Sequence, residues 1–276
     1  MATLRNMAET ADAPPLPDGV TLVRAPNPGP MTLDGTNSWV LRGEGATGSA
    51  VVDPGPTDAA HLARLAEGGV ELVLVTHRHP DHTDAVDAFA ELTGAPVRAI
   101  DVAWCRGADP LADGEVIAAG GFRLEVLATP GHTSDSMCVV IRGAEATDDA
   151  PLGVLTGDTV LGRGTTIIAH PDGALGPYLE SLDRLLTIGI TAADASGAVA
   201  VLPGHGPVLP DLAAICDAYL AHRAERLDQV RAALAHLGDA ATPEAVTDVV
   251  YADVDPAVRG AAEASVRAQL DHLRGA

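Results

Sequence analysis

The segment THRHPDHTDA (76–85) carries three histidines and two aspartates and directly follows the apolar run VELVLV (70–75). Histidine is scarce in this chain, with ten copies in 276 residues. An exposed loop has no structural need for such a cluster, whereas imidazole and carboxylate groups are common ligands of divalent metals. The apolar run has the length and character of a buried strand. The segment therefore predicts a metal site at the end of a strand.

The spacing of these side chains suggests two neighbouring ions. In an extended chain, side chains two residues apart point to the same side. His77 and His79 can therefore reach one ion through ring nitrogens, at about 2.0–2.1 Å. Asp81 and His82 follow where the chain turns, and they can face a neighbouring position.

Three later segments repeat this pattern, in which an apolar strand passes through small turn residues to a side chain that can bind metal. They are FRLEVLATPGH (122–132), GVLTGD (153–158) and AVAVLPGH (198–205). If these strands end at one edge, His132 joins the first histidine pair and His205 joins Asp81 and His82. Asp158 has two oxygens, with which one carboxylate can bridge both ions.

Seven ligands are thus predicted for two divalent ions: His77, His79, Asp81, His82, His132, Asp158 and His205. Five imidazoles and two carboxylates, without a thiolate, do not fit a cysteine-rich structural zinc site. They suit catalytic zinc, which we expect here, with manganese or iron as alternatives.

The order of strand and helix patterns predicts an α/β protein with a helical C-terminal part. From Leu212 onward, LAAICDAYLAHRAERLDQVRAALAHLG (212–238) carries a long apolar helical stripe. Thr242-Pro243 and Asp255-Pro256 are each an N-cap residue followed by proline, and they predict helices at about 243–251 and 256–273. We therefore predict a catalytic domain at 1–209 and a helical domain at 210–276.

The composition limits the classes of partner that the protein is expected to bind and the cell compartment in which it is expected. The net charge of −21 disfavours a surface that coats nucleic acid or an anionic membrane, because such surfaces need clustered positive charge. Residues 1–19 lack the apolar core of a signal peptide, and no stretch has the length of a membrane span. The three cysteines are widely spaced and odd in number, which indicates reduced thiols. These features predict a cytoplasmic protein without a membrane partner.

The combined pattern resembles the metallo-β-lactamase fold superfamily, with its five motifs in order: Asp53, the HxHxDH loop, His132, Asp158 and His205. It is most similar to the lactamase-beta-2-like branch, which includes endoribonucleases and relatives of polyketide-associated thioesterases. That similarity lies in NPGPMTLDGTNSWVL (27–41), TGDTVLGRGTT (156–166), LPGHGPV (202–208) and YLAHRAERLDQV (219–230). The resemblance implies a four-layer αββα sandwich and a winged-helix-like appendage. Asp84-Ala85 departs from it, because many relatives carry two glycines there, and the tail leaves little sequence for a β wing.

The resemblance also implies that Asp53 orients a ligand, although DPG (53–55) can equally be an Asx turn. Arg78 alternates away from its histidine neighbours and is placed on the rim. His170 and the GTN segment (35–37) are hypotheses for substrate contact. The remaining histidines fall in helical patterns and are interpreted as structural: His61, His222, His236 and His272.

The predicted function is metal-assisted hydrolysis. Two ions about 3.5–4 Å apart would lower the pKa of a shared water and supply a hydroxide nucleophile. Asp81 would orient that hydroxide and move a proton, and Asp158 would bridge the ions. The resemblance makes a true β-lactamase unfavoured, because a bridging aspartate is typical of branches that cleave thioesters, lactones and phosphodiesters.

A small ester or thioester is the expected substrate, and short single-stranded RNA is the alternative. A DNA-binding regulator that acts through the C-terminal helices is a third hypothesis. Residues 210–276 contain six arginines against eleven acidic residues, which disfavours contact with phosphates. A helical flap beside the active site or a homodimer contact is the simpler interpretation of this domain.

Overall fold

The computed structural model describes residues 14–145 and 149–275 and contains two five-stranded mixed sheets. The first sheet consists of β1 (Val20–Arg24), β2 (Asn37–Leu41), β3 (Ser49–Val52), β4 (Val70–Leu74) and β5 (Val97–Arg98), in that order. The second consists of β6 (Val116–Ala119), β7 (Phe122–Ala128), β8 (Met137–Gly143), β9 (Pro151–Gly157) and β10 (Val201–Pro203), also in spatial sequence. Residues 1–13, to which the signal-peptide prediction applies, lie outside the described ranges.

Parallel pairing in each sheet places candidate metal-binding segments at strand ends. In the first sheet β3 pairs parallel to β4, and β4 pairs parallel to β5. In the second sheet β9 and β10 are parallel, while β6 to β9 pair antiparallel. The loops after β4, β9 and β10 therefore leave carboxyl ends of parallel strands, as the repeated sequence pattern predicts.

The described helices are α1 (Ala59–Leu65), α2 (Pro80–Thr83), α3 (Val86–Thr93), α4 (Leu175–Ser196), α5 (Leu212–Leu237), α6 (Pro243–Val250) and α7 (Arg259–Arg274). A short 3₁₀ turn, Pro256–Val258, precedes α7. None of these helices combines the length and apolar character needed to cross a bilayer.

Apolar side chains from the two sheets meet in one buried layer. Trp39 and Leu74 of the first sheet pack in the same cluster as Leu124, Met137 and Leu155 of the second. The outer face of the first sheet packs on α1 and α3, and the outer face of the second packs on α4 and α5. Strands that are buried on both faces explain the continuous apolar runs in the sequence. The predicted four-layer αββα sandwich is confirmed.

The C-terminal helices form a small additional core. Val230 of α5 packs with Val246 of α6 and with Val266 and Leu270 of α7. The first half of α5 instead packs against α4, in the cluster on the second sheet. One continuous helix thus belongs to both parts of the molecule, and the domain boundary at 209/210 stays a prediction. No strand occurs between Gly204 and Gly275, the last described residue.

Helix capping is confirmed at two predicted positions and differs at a third. Thr242 accepts from the Ala245 N–H, and Asp255 accepts from the Ala257 N–H. The segment TDAVDAFAELTG (83–94) has the pattern of a helix that Thr83 caps and Gly94 ends, but the prediction of Thr83 as its cap is wrong. Thr83 is the last residue of α2, and its buried hydroxyl donates back to the His79 carbonyl, 3.0 Å away. Hydroxyl groups often bond the carbonyl one turn earlier in this way.

Candidate metal centre

The local structure of residues 76–83 explains how one short segment presents ligands in two directions. After β4 the chain bends at Arg78, and His79 then has the extended backbone of a helix-capping residue, with φ −63° and ψ 143°. Pro80 then occupies the first turn of α2, where its missing N–H costs no hydrogen bond. His77 and His79 therefore come from a bent loop, not from the continuous extended chain that the sequence predicted, whereas Asp81 and His82 come from a helical turn.

The first ligand group consists of three histidines. The Nδ1 of His79 lies 3.0 Å from the Nε2 of His77 and 2.9 Å from the Nε2 of His132. His132 follows β7 through the turn Thr129-Pro130-Gly131. The three ring nitrogens point toward a common position, and they form one of three groups whose ligand atoms all lie within 4.8 Å of one another.

The second ligand group consists of Asp81, His82 and His205. The Nε2 of His205 lies 3.0 Å from the Oδ2 of Asp81 and 3.2 Å from the Nε2 of His82. The Nε2 of His82 is 3.4 Å from the same aspartate oxygen. His82 and His205 are almost completely buried, while Asp81 is partly exposed.

Asp158 lies between the two groups. Its Oδ2 is 3.8 Å from the Nε2 of His132 and 3.5 Å from the Nε2 of His205, and its Oδ1 is 3.6 Å from the Nε2 of His82. The structure therefore brings together all seven side chains that the sequence pattern selected. One carboxylate touches both trios, as a bridging ligand would.

Gly204 leaves the space that Asp158 and His82 occupy. A Cβ at this position would lie 2.5 Å from the Oδ1 of Asp158 and 3.0 Å from the Cε1 of His82. Its N–H donates to the Gly157 carbonyl at 2.8 Å, which joins the ends of the parallel strands β9 and β10. The glycine before His205 is therefore part of the site geometry.

Each group also has partners that orient its rings. The Oδ2 of Asp53 lies 2.8 Å from the Nδ1 of His82, and the same carboxylate accepts from the Thr76 N–H and hydroxyl. The Nδ1 of His132 donates to the Ile167 carbonyl at 2.6 Å. Such bonds to the second ring nitrogen fix the tautomer and aim the other nitrogen at the metal. The contacts of Asp53 support the orienting interpretation over the Asx turn.

Burial and charge give the histidines different protonation states. Burial lowers the pKa of His132 to about 4 and that of His77 well below its usual value, so both rings are neutral. Against an opposing effect of burial, Asp53 and Asp158 raise the pKa of His82 to about 9. Burial likewise opposes Asp158 and Asp81, which raise the pKa of His205 to about 11. The second group therefore holds positive charge beside two aspartates.

The donor atoms fit a divalent cation. The Oδ1 of Asp158 is buried and has no hydrogen-bond partner among the described residues, although buried polar oxygens are normally paired. In the first group, three neutral ring nitrogens converge with no carboxylate between them. Nitrogen and oxygen ligands in this number suit zinc, iron or manganese.

The structure contradicts the rim hypothesis for one segment, and the hypothesis of substrate contact for His170 stays a prediction. The segment 35–37 does not line the rim, because Thr36 and Asn37 are fully buried. Thr36 instead lies under the second group, with its hydroxyl 3.4 Å from the Oδ2 of Asp81. His170 contacts Asp271 of α7, with 2.9 Å between Nε2 and Oδ2. Arg78 is partly exposed, as predicted for a rim residue.

Sequence reasoning missed two carbonyl groups that support the ligands. The Ile167 carbonyl bonds His132, and the Gly35 carbonyl lies 3.3 Å from the Nδ1 of His205. Both are backbone groups in irregular loops, so no side-chain signal marks them. The GTN segment (35–37), which leads into β2, gave the only indirect indication of the Gly35 carbonyl.

Comparisons with known proteins agree with this geometry. The sequence profile of the metallo-beta-lactamase superfamily matches residues 31–205, and that of the beta-lactamase associated winged helix domain matches residues 242–275. Beta-lactamase-like protein 2 homolog of Caenorhabditis elegans is 30% identical over 94% of this chain and 85% of its own length. An atrochrysone carboxyl ACP thioesterase of Aspergillus fumigatus is 32% identical, over 76% of this chain and 63% of its own length.

Solved structures show the same fold. A metallo-beta-lactamase family protein from Thermus thermophilus has a TM-score of 0.72 at 24% identity, covering 93% of both chains. A beta-lactamase domain protein from Burkholderia ambifaria has a TM-score of 0.73 at 22% identity, covering 99% of this chain and 90% of its own. Taken with the profile match across the metal-binding segments, these similarities show that the chain belongs to the metallo-beta-lactamase superfamily and carries a C-terminal winged-helix domain.

Proposed function

We propose that this protein is a binuclear metal-dependent hydrolase that cleaves an ester or thioester bond of a small molecule. The observation that carries the proposal is the position of Asp158 between two trios of ligands, each compact enough to hold one ion. Seven ligands exceed what one tetrahedral ion uses. Membership of a superfamily that consists generally of hydrolases supports the reaction class.

The ligand set divides between two ions. We propose that His77, His79 and His132 hold the first ion and that Asp81, His82 and His205 hold the second, with Asp158 shared between them. The distances between their ligand atoms support this division. When bound, two divalent ions lower the pKa of water toward neutrality and polarise the oxygen of the bond under attack.

Asp81 is the protein group proposed to move a proton. It is the more exposed of the two site carboxylates, and its Oδ2 is the atom that faces His205 and the Thr36 hydroxyl. Burial opposes ionisation of Asp81, but the hydrogen bond from His205 and the charge of His82 lower its pKa. An ionised, accessible carboxylate can orient water and accept its proton. Asp158 is proposed to act as the ligand shared by the two ions, not as a proton acceptor.

The substrate class is proposed from the relatives. Two atrochrysone carboxyl ACP thioesterases match this chain, at 32% identity in Aspergillus fumigatus and 34% in Aspergillus chevalieri. The chain spans less than two thirds of the length of the first of these, so its activity is not transferred as a whole. A thioester needs only an activated nucleophile and a polarised carbonyl, which is what this site would supply. The RNA and DNA alternatives have no comparable support.

The metal is proposed to be zinc, with iron as the principal alternative. The mixed imidazole and carboxylate set suits both. A structurally similar chain, TTHA1623, was crystallised in a di-iron-bound form, at 25% identity and a TM-score of 0.51 over 69% of this chain. Elemental analysis after reconstitution with each metal should show about two equivalents per chain. Values that stay at or below one equivalent would contradict the binuclear assignment.

A hydrolysis screen tests the proposed reaction. The zinc- and iron-loaded protein is assayed with aryl thioesters, aryl esters, a bis-aryl phosphodiester and a short single-stranded RNA. We expect the highest kcat/KM for the thioesters or esters, and loss of at least about 90% of it in Asp81→Ala and His82→Ala. Activity that persists in both variants would identify a contaminant. Efficient cleavage of RNA that vanishes in both variants would overturn the substrate class.

A further inference from the structure

A buried arginine in the C-terminal part of the chain stands out because it has no acidic partner among residues 14–145 and 149–275. Arg223 lies on α5, in the segment YLAHRAERLDQV (219–230), and its side chain is 3% exposed. Its Nε has no hydrogen-bond partner among the described residues. Its partners are a backbone carbonyl and the ring of Tyr178, whose centroid is 5.0 Å from the guanidinium carbon. Burying such a charge is unfavourable, and an apolar side chain would pack the core more favourably.

The carbonyl that Arg223 contacts belongs to a loop that we call the site loop, residues 159–171. The guanidinium donates to the Thr166 carbonyl. Two tyrosines hold the same loop beside it. The hydroxyl of Tyr178 on α4 donates to the Thr159 carbonyl at 2.7 Å, and the hydroxyl of Tyr219 on α5 accepts from the Leu161 N–H at 3.1 Å. Side chains of α4 and α5 therefore hold the site loop through hydrogen bonds to its backbone.

The other side of the site loop contacts three metal-ligand candidates. The Thr166 hydroxyl lies 2.8 Å from the Asp158 carbonyl, and the next residue, Ile167, accepts the Nδ1 hydrogen bond of His132. The Gly162 N–H donates to the His205 carbonyl at 2.9 Å. Thr166, whose carbonyl accepts from Arg223, thus also bonds Asp158. The next residue, Ile167, carries the carbonyl that orients His132.

We propose that Arg223 is a positioning residue for the metal centre, and that through it the C-terminal helices hold the site loop where it orients His132 and Asp158. The inference rests on the proposed function in taking these two residues as ligands. It explains why a cation is kept in an apolar core, since a guanidinium can both stack on Tyr178 and reach the Thr166 carbonyl. It also gives the appended helices a role at the active site.

Three variants of the full chain test the proposal. Arg223→Met removes the charge and the donors but keeps the aliphatic stem. Arg226→Met is the matched control, because Arg226 is also buried on α5 but stacks on Tyr251 and bonds Gln229, both outside the site loop. Arg223→Lys keeps the positive charge but replaces the planar guanidinium by a single ammonium nitrogen.

The first measurement is amide hydrogen exchange in the metal-free protein. We expect exchange in residues 159–171 to rise at least about tenfold in Arg223→Met and to stay unchanged in Arg226→Met. The second is Co²⁺ binding, followed by competition with a chromophoric chelator and by the visible absorption of the ion. We expect Arg223→Met to bind Co²⁺ at least about tenfold more weakly with an altered spectrum, as removal of ligand-orienting contacts does.

The proposal is overturned if Arg223→Met retains the loop exchange, Co²⁺ affinity and spectrum of the unmodified protein, or if Arg226→Met shows equal changes. If Arg223→Met does not fold, Arg223→Lys decides, with a loss of at least about threefold in Co²⁺ affinity expected and wild-type values contradicting the inference. Failure of the unmodified protein to bind Co²⁺ would instead overturn the proposed function. The exchange comparison would still show whether Arg223 holds the loop.

Discussion

Two aspartates of the same site have different tasks because their neighbours differ. Asp53 is saturated with donors, since it accepts from the N–H and hydroxyl of Thr76 and contacts the Nδ1 of His82. The buried Oδ1 of Asp158 has no hydrogen-bond donor among the described residues and lies 3.6 Å from the Nε2 of His82. A carboxylate whose lone pairs are already occupied orients a ring, whereas one with a free oxygen can bind an ion.

This difference predicts a strong effect of Asp158→Asn. Asparagine is nearly isosteric but neutral, and its amide would place a donor where an ion needs an oxygen ligand. We expect metal content to fall below two equivalents and kcat to fall at least about tenfold, with an unchanged circular dichroism spectrum. Asp113→Asn is the charge-matched control, because Asp113 is half exposed and paired with Arg184. Unchanged kcat in Asp158→Asn would show that this residue is not a shared ligand.

The raised pKa values of the second group predict proton release on metal loading. The aspartates raise the pKa of His82 to about 9 and that of His205 to about 11, but the Nε2 atoms of the two rings are only 3.2 Å apart, so we expect the metal-free pair to share one Nε2 proton at pH 7. Both rings must be neutral to bind metal, so loading should release about one proton from this pair, and metal affinity at this group should rise with pH up to those pKa values. His77 and His132 are already neutral and contribute no such slope.

Titration calorimetry of the chelator-treated protein, repeated at pH 7 in two buffers with different ionisation enthalpies, counts the protons released. The double substitution His82→Gln with His205→Gln should lower the count to near zero, because neither side chain of the second group then has a proton to release. A count near zero for the unmodified protein would show that both rings are neutral before metal binds.

At the scale of elements, the ends of strands were predictable and the connections were not. An apolar run that stops at a glycine and a ligand is visible in sequence at Asp158 and His205, since parallel strands bring their carboxyl ends together. The short helix α2 could not be seen, because four residues are too few to show a helical period. The long helix α4 was not predicted either, although Leu175, Leu182 and Leu185 mark its buried face.

The overall fold was likewise predictable from local sequence patterns only in part. Periodicity indicated alternating strands and helices, but the pairing of strands into two packed sheets came from the resemblance of the ligand motifs. Strand order depends on contacts between residues far apart in the chain, which local patterns do not encode. The orienting carbonyls of Ile167 and Gly35 were invisible for a simpler reason, because every residue carries a carbonyl group.

The junction of β9 and β10 gives a prediction at this scale. Gly204→Ala introduces a Cβ 2.5 Å from the Oδ1 of Asp158, although the backbone of Gly204 does not need a positive φ. The effect is therefore steric, and we expect at least about tenfold weaker metal binding with a loss of about 1–3 kcal/mol in the free energy of unfolding. Metal competition assays and denaturant unfolding measure the two quantities.

Gly260→Ala provides the control for this substitution, because Gly260 lies in α7 with open space around its Cβ position. Alanine there should leave metal binding unchanged and stabilise the helix by about 0.5–1 kcal/mol. If Gly204→Ala also keeps full metal affinity, the packing at the junction is looser than the distances indicate.

For the whole molecule, the main constraint on substrates is charge. The chain carries a net charge of −21, and the arginines next to the metal-binding segments are engaged by acids. Arg78 lies 2.7 Å from Asp172, and Arg163 lies 3.3 Å from Asp34. Their positive charge is therefore largely compensated at the rim. Such a surface attracts cations and repels anions until salt screens it.

The negative electrostatic field of this surface predicts how salt changes kcat/KM. We compare two thioesters of equal length, one uncharged and one with a free carboxylate, between about 20 and 300 mM NaCl, a range over which the Debye length falls from roughly 20 Å to below 10 Å. Screening should raise kcat/KM for the anionic thioester at least about twofold, because its approach to an acidic surface is unfavourable at low salt. The uncharged thioester should change little, and it controls for effects of salt on the protein itself. A kcat/KM for the anionic substrate that falls steeply with salt would contradict the prediction. In that case Arg78→Met and Arg163→Met, measured in the same way, would show which rim arginine attracts the substrate despite its acidic neighbours.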